Sequence, residues 1–284
     1  MRNKITRREF ISGGAIIGAV ILNDNVPGKR FMSSSYKKAS MPMIRLGEFR
    51  VSRLILGTNP FWGFWHGNPR KPVSITEEGK MAVMDSAADN GITAVWAPAY
   101  KEWITLWKTY KAKGGRLESW MGQPDGYKGV SLEEQIRECY KNGGKAICIQ
   151  GLNVDEAIKN NDYEKLKRLL GMIRDYGLNA GLASHNPENI LKAEESGLPA
   201  EFYHLTLGIP DTFESGAREK TLKTVQQIEK PMVIFKVLGA GRFEPNEAIP
   251  YVLNAISRKD GICLGADNPA QIAGDADIVI NYKD

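Results

Sequence analysis

The sequence predicts an α/β fold: a (β/α)8 TIM barrel preceded by a short N-terminal β-hairpin. Three observations carry that expectation. Eight short apolar runs, each of strand length, alternate with amphipathic, capped segments of helix length. The part of the 284-residue chain that holds them, residues 41–284, is close to the roughly 250 residues of a typical β/α barrel. The competing doubly wound sheet needs Gly-x-Gly-x-x-Gly after its first strand, and nothing of that spacing follows Gly57.

The elements follow in order. Residues 43–53 read as a hairpin with Gly47 near its turn, and Leu54-Ile-Leu is the first barrel strand. Thr76-Glu-Glu starts a helix that runs through Met81, Met84 and Ala88 to Asn90-Gly91. The second strand covers residues 94–96. Trp103, Trp107 and Tyr110 then recur at i, i+4 and i+7, on one helix face. A third strand is expected at 117–121. Ser131-Leu-Glu-Glu134 is a capping box opening a helix that stops at Gly143-Gly144. Strands at 146–150 and 180–183 flank a basic-apolar helix at 163–176 that ends at Gly177. Asn186-Pro187 is an N-cap followed by a proline at the first helical position. Strands at 202–206, 233–237 and 262–264, with helices at 218–228, 246–257 and 268–273, complete the set.

Composition narrows the partners. The chain is 42% hydrophobic and 25% charged, with a formal net charge of +5. Arg2, Lys4, Arg7, Arg8, Lys29, Arg30, Lys37 and Lys38 face only Glu9 and Asp24 before Ser40, so the remainder is near neutral. No basic stripe interleaves with aromatics, and nucleic acid is not an expected partner. Cys139, Cys148 and Cys263 show no metal-ligand spacing; inside apolar runs they read as small core hydrophobes.

Residues 1–40 read as a targeting segment and linker. Thr6-Arg7-Arg8-Glu9-Phe10-Ile11 precedes a largely apolar stretch from Ser12 to Leu22, a signal-peptide layout that resembles the twin-arginine signal. The resemblance implies export of a folded protein by the twin-arginine machinery to a periplasmic or extracytoplasmic location. The apolar run is short for a bilayer span, and no clean small-x-small cleavage site precedes Val26. An uncleaved signal acting as a tether is the one membrane association expected. Folded export also explains the lack of a disulfide framework.

In a β/α barrel the site lies at the C-terminal ends of the strands. The predicted exits offer Asn59, Trp62 and His66; Trp96 and Tyr100; Glu118 and Trp120; Gln150; Ser184 and His185; His204; Lys236; and Asp267. All three histidines fall at or near such exits. Glu118 is either a base with a raised pKa or a structural partner of a lysine. Lys236 stabilises an oxyanion, or pairs with Glu118. His185 and His204 could share a divalent metal with Glu118, although no helical metal motif is present, and no metal ligand set is assigned. The tryptophans either stack on a sugar ring or pack the barrel top.

Several stretches resemble the aldo/keto reductase superfamily: Arg45-Leu-Gly47 with Val51-Ser-Arg-Leu-Ile-Leu-Gly57-Thr58, then Gly91-Ile-Thr-Ala-Val-Trp96, Gly181-Leu-Ala-Ser184-His185-Asn186-Pro187-Glu188, and Leu264-Gly265-Ala266-Asp267-Asn268-Pro269. The resemblance implies a barrel oxidoreductase using NAD(P) on a carbonyl or hydroxyl of a small polar, possibly sugar-derived substrate. It also implies an Asp, Tyr, Lys and His tetrad, which this chain largely lacks. Trp96 stands for the Asp, Tyr100 falls one residue early, the third strand has no Lys, and Gln150 replaces the His. The catalytic group is therefore expected to be Tyr100, Glu118, His185, His204 and Lys236, with Asn59, Trp62, His66, Trp96, Trp120 and Gln150 around the substrate. For the cofactor the resemblance points to Ser184, Gly239, Gly241, Arg242, Gly265, Asp267 and Asn268. A carboxylate at Asp267 would repel a 2′-phosphate, which favours NAD over NADP. Two alternatives stay open: a non-redox lyase, isomerase or hydrolase on carbohydrate, with or without a metal, and a barrel that binds a ligand without catalysis.

Overall fold

The computed structural model describes residues 40–64, 75–209 and 218–283. The arginine pair at Arg7-Arg8 and the expected mouth residue His66 lie outside them.

Strands β1 (Met43–Leu46) and β2 (Phe49–Ser52) form an antiparallel hairpin. Gly47 turns it with a φ of 65°, the left-handed region where a side chain is strained. Then β3 (Leu54–Gly57), β4 (Ala94–Pro98), β5 (Ser119–Gln123), β6 (Gly144–Ile149), β7 (Asn179–Ser184), β8 (Phe202–Thr206), β9 (Met232–Phe235) and β10 (Gly261–Gly265) run parallel in order, and β10 closes on β3. The expected TIM barrel with its hairpin is the observed fold.

Strand alternation sorts the apolar residues into two layers. Ile55, Ala94, Trp96, Met121, Ala146, Cys148, Ala183, Phe202 and Val233 fill the barrel interior. Ile44, Leu46 and Val51 of the hairpin join the same cluster and close the N-terminal end. The alternate positions, such as Leu56, Val95, Trp120, Ile147 and Leu182, face the helices.

Those helices are α1 (Glu77–Asp89), α2 (Lys101–Ala112), α3 (Leu132–Lys141), α4 (Gly151–Lys159), α5 (Tyr163–Asp175), α6 (Pro187–Glu195), α7 (Arg218–Gln227), α8 (Pro245–Ala255) and α9 (Pro269–Asn281). Local chemistry starts them where the sequence says. Thr76 caps α1 through the Gly79 N–H, Ser131 caps α3 through the Glu134 N–H, and Asn186 caps α6 ahead of Pro187. Helix α4 was not among the expected elements. Gln150 caps it with a side-chain oxygen that accepts from the N–H groups of Leu152 and Asn153, and Gly151 opens it. Both are unusual helix starters.

Strand β5 begins two residues later than expected. That shift carries Glu118 to the N-terminal end of the barrel, where it is exposed and its N–H donates to the Thr93 carbonyl. Among the described residues no helix is long and apolar enough to cross a membrane.

Candidate functional site

Inward positions on three neighbouring strands build the mouth. On β7 Ala183 points into the barrel, so His185 takes the next inward place. On β8 Phe202 points inward, followed by His204 and Thr206. On β9 Val233 points inward, followed by Phe235. The register pairs Ala183 with His204 and Thr206 with Phe235. His185, Thr206 and Phe235 therefore share one layer at the mouth, and His204 lies one layer beneath. Ring contacts agree: the His204 ring centroid is 3.8 Å from Trp96 and 4.5 Å from Phe235, and His185 is 5.6 Å from Phe235.

The His185 imidazole is oriented by Asp155 of α4. Its Nδ1 lies 3.2 Å from Asp155 Oδ2, and its backbone N–H donates to the same oxygen. Ser184 Oγ donates to Asp155 Oδ1, as does the side-chain amide of Asn189 at 2.8 Å. Burial pushes the Asp155 carboxyl up, but these four hydrogen bonds outweigh it and hold the group below its ordinary value. In the tautomer whose Nδ1–H donates to this carboxylate, Nε2 is the acceptor. No described residue bonds to that nitrogen. Asp155 was not among the expected site residues. Its only sequence trace was the helix carrying it, signalled by Val154, Ala157 and Ile158 at i, i+3 and i+4.

This network gives a pH prediction. A carboxyl depressed by folding adds stability that is complete above its unfolded pKa, about 4, and is lost as pH falls through the lower folded value. Asp155→Asn should flatten the fall in Tm between about pH 4 and pH 2. A melt series in which the variant and the parent fall in parallel would show that the network is not formed.

Thr206 in the mouth layer, and His204 and Trp96 below it, are polar and unpaired. His204 is 4% exposed, Trp96 4% and Thr206 2%. Both His204 ring nitrogens, Trp96 Nε1 and Thr206 Oγ1 are buried without a hydrogen-bond partner. Burial, with the nearby His185, pushes the His204 pKa down to about 3, so its ring is neutral. Lys236 follows β9 with a φ of 61°, unusual for a residue with a Cβ. Its Nζ lies 5.7 Å from the Phe235 ring, and burial lowers its pKa.

Other expected residues lie elsewhere. Trp120 is fully buried on the outer face of β5 among the helices, with Nε1 donating to the Ala97 carbonyl at 3.2 Å. Trp62 turns toward α1, where Lys80 Nζ stands 3.7 Å over its ring. Asn59 is exposed at the start of a 3₁₀ turn, Asn59–Trp62. Gln150 caps α4. Tyr100 donates its hydroxyl to Asp125; burial and that carboxylate raise the phenol pKa and weaken it as an acid. Glu118, at the opposite end of the barrel, joins neither Lys236 nor the histidines. Among the described residues no group of three or more His, Cys, Asp or Glu could hold a metal.

The positions expected to hold a dinucleotide are engaged inside the protein. The N–H groups of Gly239, Gly241 and Arg242 donate to the carbonyls of Lys236 and Leu238. Arg242 donates to the Gly239 carbonyl at 2.7 Å. A Cβ on Gly265 would lie 2.5 Å from Pro60, so that glycine accommodates a packed proline. Asn268 caps α9 and also donates to Asp267. Ser184 is bound to Asp155.

No family model and no curated protein sequence matches the chain. Solved structures do. A Pseudomonas aeruginosa protein classed by name among the aldo-keto reductases aligns with a TM-score of 0.64 at 16% identity, over 88% of this chain and 98% of that one. The glycerol dehydrogenase of Gluconobacter oxydans aligns at 0.58 and 12%, over 85% and 90%. A Bacillus halodurans aldo-keto reductase in its holo form aligns at 0.58 and 14%, over 86% and 92%. At such identities the likeness is one of fold.

Proposed function

We propose that this chain is an enzyme that moves a proton at a carbonyl or hydroxyl of a small polar substrate, with His185 as the base and Asp155 as the residue that positions it. The observation that carries the reading is the Asp155–His185 pair at the barrel mouth. Neutral His185 accepts a proton at Nε2 from a carbon beside the substrate carbonyl. The C–H electron pair moves into a new C=C bond and the carbonyl oxygen becomes an enolate. Asp155 stabilises the imidazolium, and the Lys236 ammonium stabilises the enolate oxygen. Where that carbon carries a hydroxyl, passage of its O–H proton to the enolate oxygen and return of the carbon proton from His185 to the former carbonyl carbon is an isomerisation; departure of a β-hydroxyl as water, protonated by the His185 imidazolium, is instead an elimination. The inward-bonded nucleotide positions favour this non-redox form.

The second reading is NAD(P)-linked oxidoreduction, NAD before NADP, supported by the reductase and dehydrogenase names of the fold neighbours. One experiment separates the readings. The full chain is incubated with small aldoses, ketoses and polyols in D₂O, with and without NAD(P), and followed by NMR. Deuterium entering beside the carbonyl without nucleotide is the expected result. Turnover only with nucleotide, together with calorimetric NAD(P) binding, would replace it by the redox reading. Binding without any exchange or turnover would leave a ligand-binding barrel.

Export by the twin-arginine route belongs to the same proposal, supported by Thr6-Arg7-Arg8-Glu9-Phe10. Arg7→Lys with Arg8→Lys should hold the protein in the cytoplasm of a host with that machinery. Equal periplasmic recovery of parent and variant would reject it.

A further inference from the structure

We infer that Trp96 Nε1, the His204 ring and Thr206 Oγ1 form a buried subsite that takes the uncharged, hydroxyl-bearing end of a substrate and rejects phosphate and carboxylate ends. The inference rests on the proposed proton-transfer site for its orientation: Thr206 is level with His185, and His204 lies one layer deeper.

Three observations argue for it. All three side chains are more than nine-tenths buried and face the barrel axis, yet none has a partner for its polar atoms. Buried polar groups are normally paired, so unpaired ones on β4 and β8, with the Trp96 and His204 rings meeting across the barrel interior at 3.8 Å, are a feature that asks for a ligand. Their chemistry is complementary to hydroxyls. Indole N–H is a donor only, the threonine hydroxyl both donates and accepts, and a neutral imidazole does each at one nitrogen. Among the described residues no cationic side chain is hydrogen-bonded to the three groups, and an anionic end would need one. The geometry also suits a short chain. His204 and Thr206 are two residues apart on one strand, about 6.6 Å, the span of a small polyol. No hydrogen bond holds the His204 ring in its present rotamer; it is held by its contacts with Trp96 and Phe235.

The test compares the full-length parent with Thr206→Val, His204→Phe and, as a control away from the mouth, Trp120→Phe. Each is titrated by calorimetry with erythritol, erythritol 4-phosphate and erythronate, and melted without ligand. Erythritol should bind the parent and Trp120→Phe alike. Thr206→Val and His204→Phe should weaken it about tenfold or more, and both anions should bind the parent less well than erythritol. Thr206→Val should also raise the ligand-free Tm by a few degrees, because a near-isosteric methyl replaces an unpaired hydroxyl. Unchanged erythritol affinity in Thr206→Val, tighter binding of either anion, or no binding of erythritol to the parent would each overturn the subsite. Deuterium exchange that persists while Thr206→Val binds normally sinks the subsite alone. Polyol binding lost in Thr206→Val, with no exchange in the parent, sinks the proton-transfer reading alone.

Discussion

His185→Ala is expected to lower turnover about 10³-fold while leaving the fold intact. The chemical half follows from the proposed proton transfer: His185 Nε2 is its acceptor, and no other described imidazole can replace it. His204 is a layer deeper and held neutral, with a pKa near 3. Tyr100 is bound to Asp125 and is a weak acid. The structural half follows from the network. Removing the imidazole leaves Asp155 with Ser184, Asn189 and the His185 backbone N–H, so the carboxylate stays satisfied. The His185 side chain is 32% exposed, so truncation opens no sealed cavity. Asp155→Asn should fall between parent and His185→Ala, because an amide no longer fixes the Nδ1–H tautomer. Its loss should appear in kcat rather than KM. Deuterium exchange at the parent rate in His185→Ala would remove His185 from the chemistry, whatever the reaction is.

The barrel was legible because its signals are periodic and redundant. Eight apolar runs alternate with capped helices, and single caps such as Ser131 or Asn186 fix boundaries to within a residue. The mouth was legible only in part. His185, His204, Trp96 and Lys236 were expected near strand exits, and the structure sets His185, His204 and Lys236 around Phe235 with Trp96 against His204. Asp155 was not legible, because its helix opens with Gln150-Gly151 and none of the usual capping residues. A helix missed in the sequence hides every side chain it delivers. Trp120 and Glu118 failed for a different reason. A strand placed two residues early puts its exit on the wrong residues. Both also share the parity of Gly122, which faces Cys139 of α3, while Ser119, Met121 and Gln123 take the inward positions. Aromatic richness marks packing as readily as binding; which one is decided by parity, and parity by a boundary that the sequence leaves loose by a turn's length.

Trp120→Ala should therefore act on stability and not on ligand binding, with a loss of about 3–5 kcal/mol. The ring is fully buried and stands 6.0 Å from Trp103 of α2, which in turn stacks on Trp107 at 5.9 Å; Trp107 stacks on Tyr110 at 6.0 Å. This aromatic column is what joins α2 to β4 and β5. Truncation removes both the Trp120 contacts and the bond from Nε1 to the Ala97 carbonyl, and rigid neighbours on two strands limit collapse into the gap. In a barrel of this size the loss corresponds to a fall in Tm of roughly 10 °C. Trp120→Phe keeps most of the ring and loses the hydrogen bond, so about 1 kcal/mol is expected. Trp96→Phe is the contrast. It removes an unpaired N–H from the barrel interior, so Tm should hold or rise while affinity for a hydroxyl-bearing ligand falls. Thermal melts and ligand titrations on the three variants decide the matter. A Trp120→Ala protein that melts like the parent yet binds ligand more weakly would return Trp120 to the mouth and reverse the parity assigned to β5.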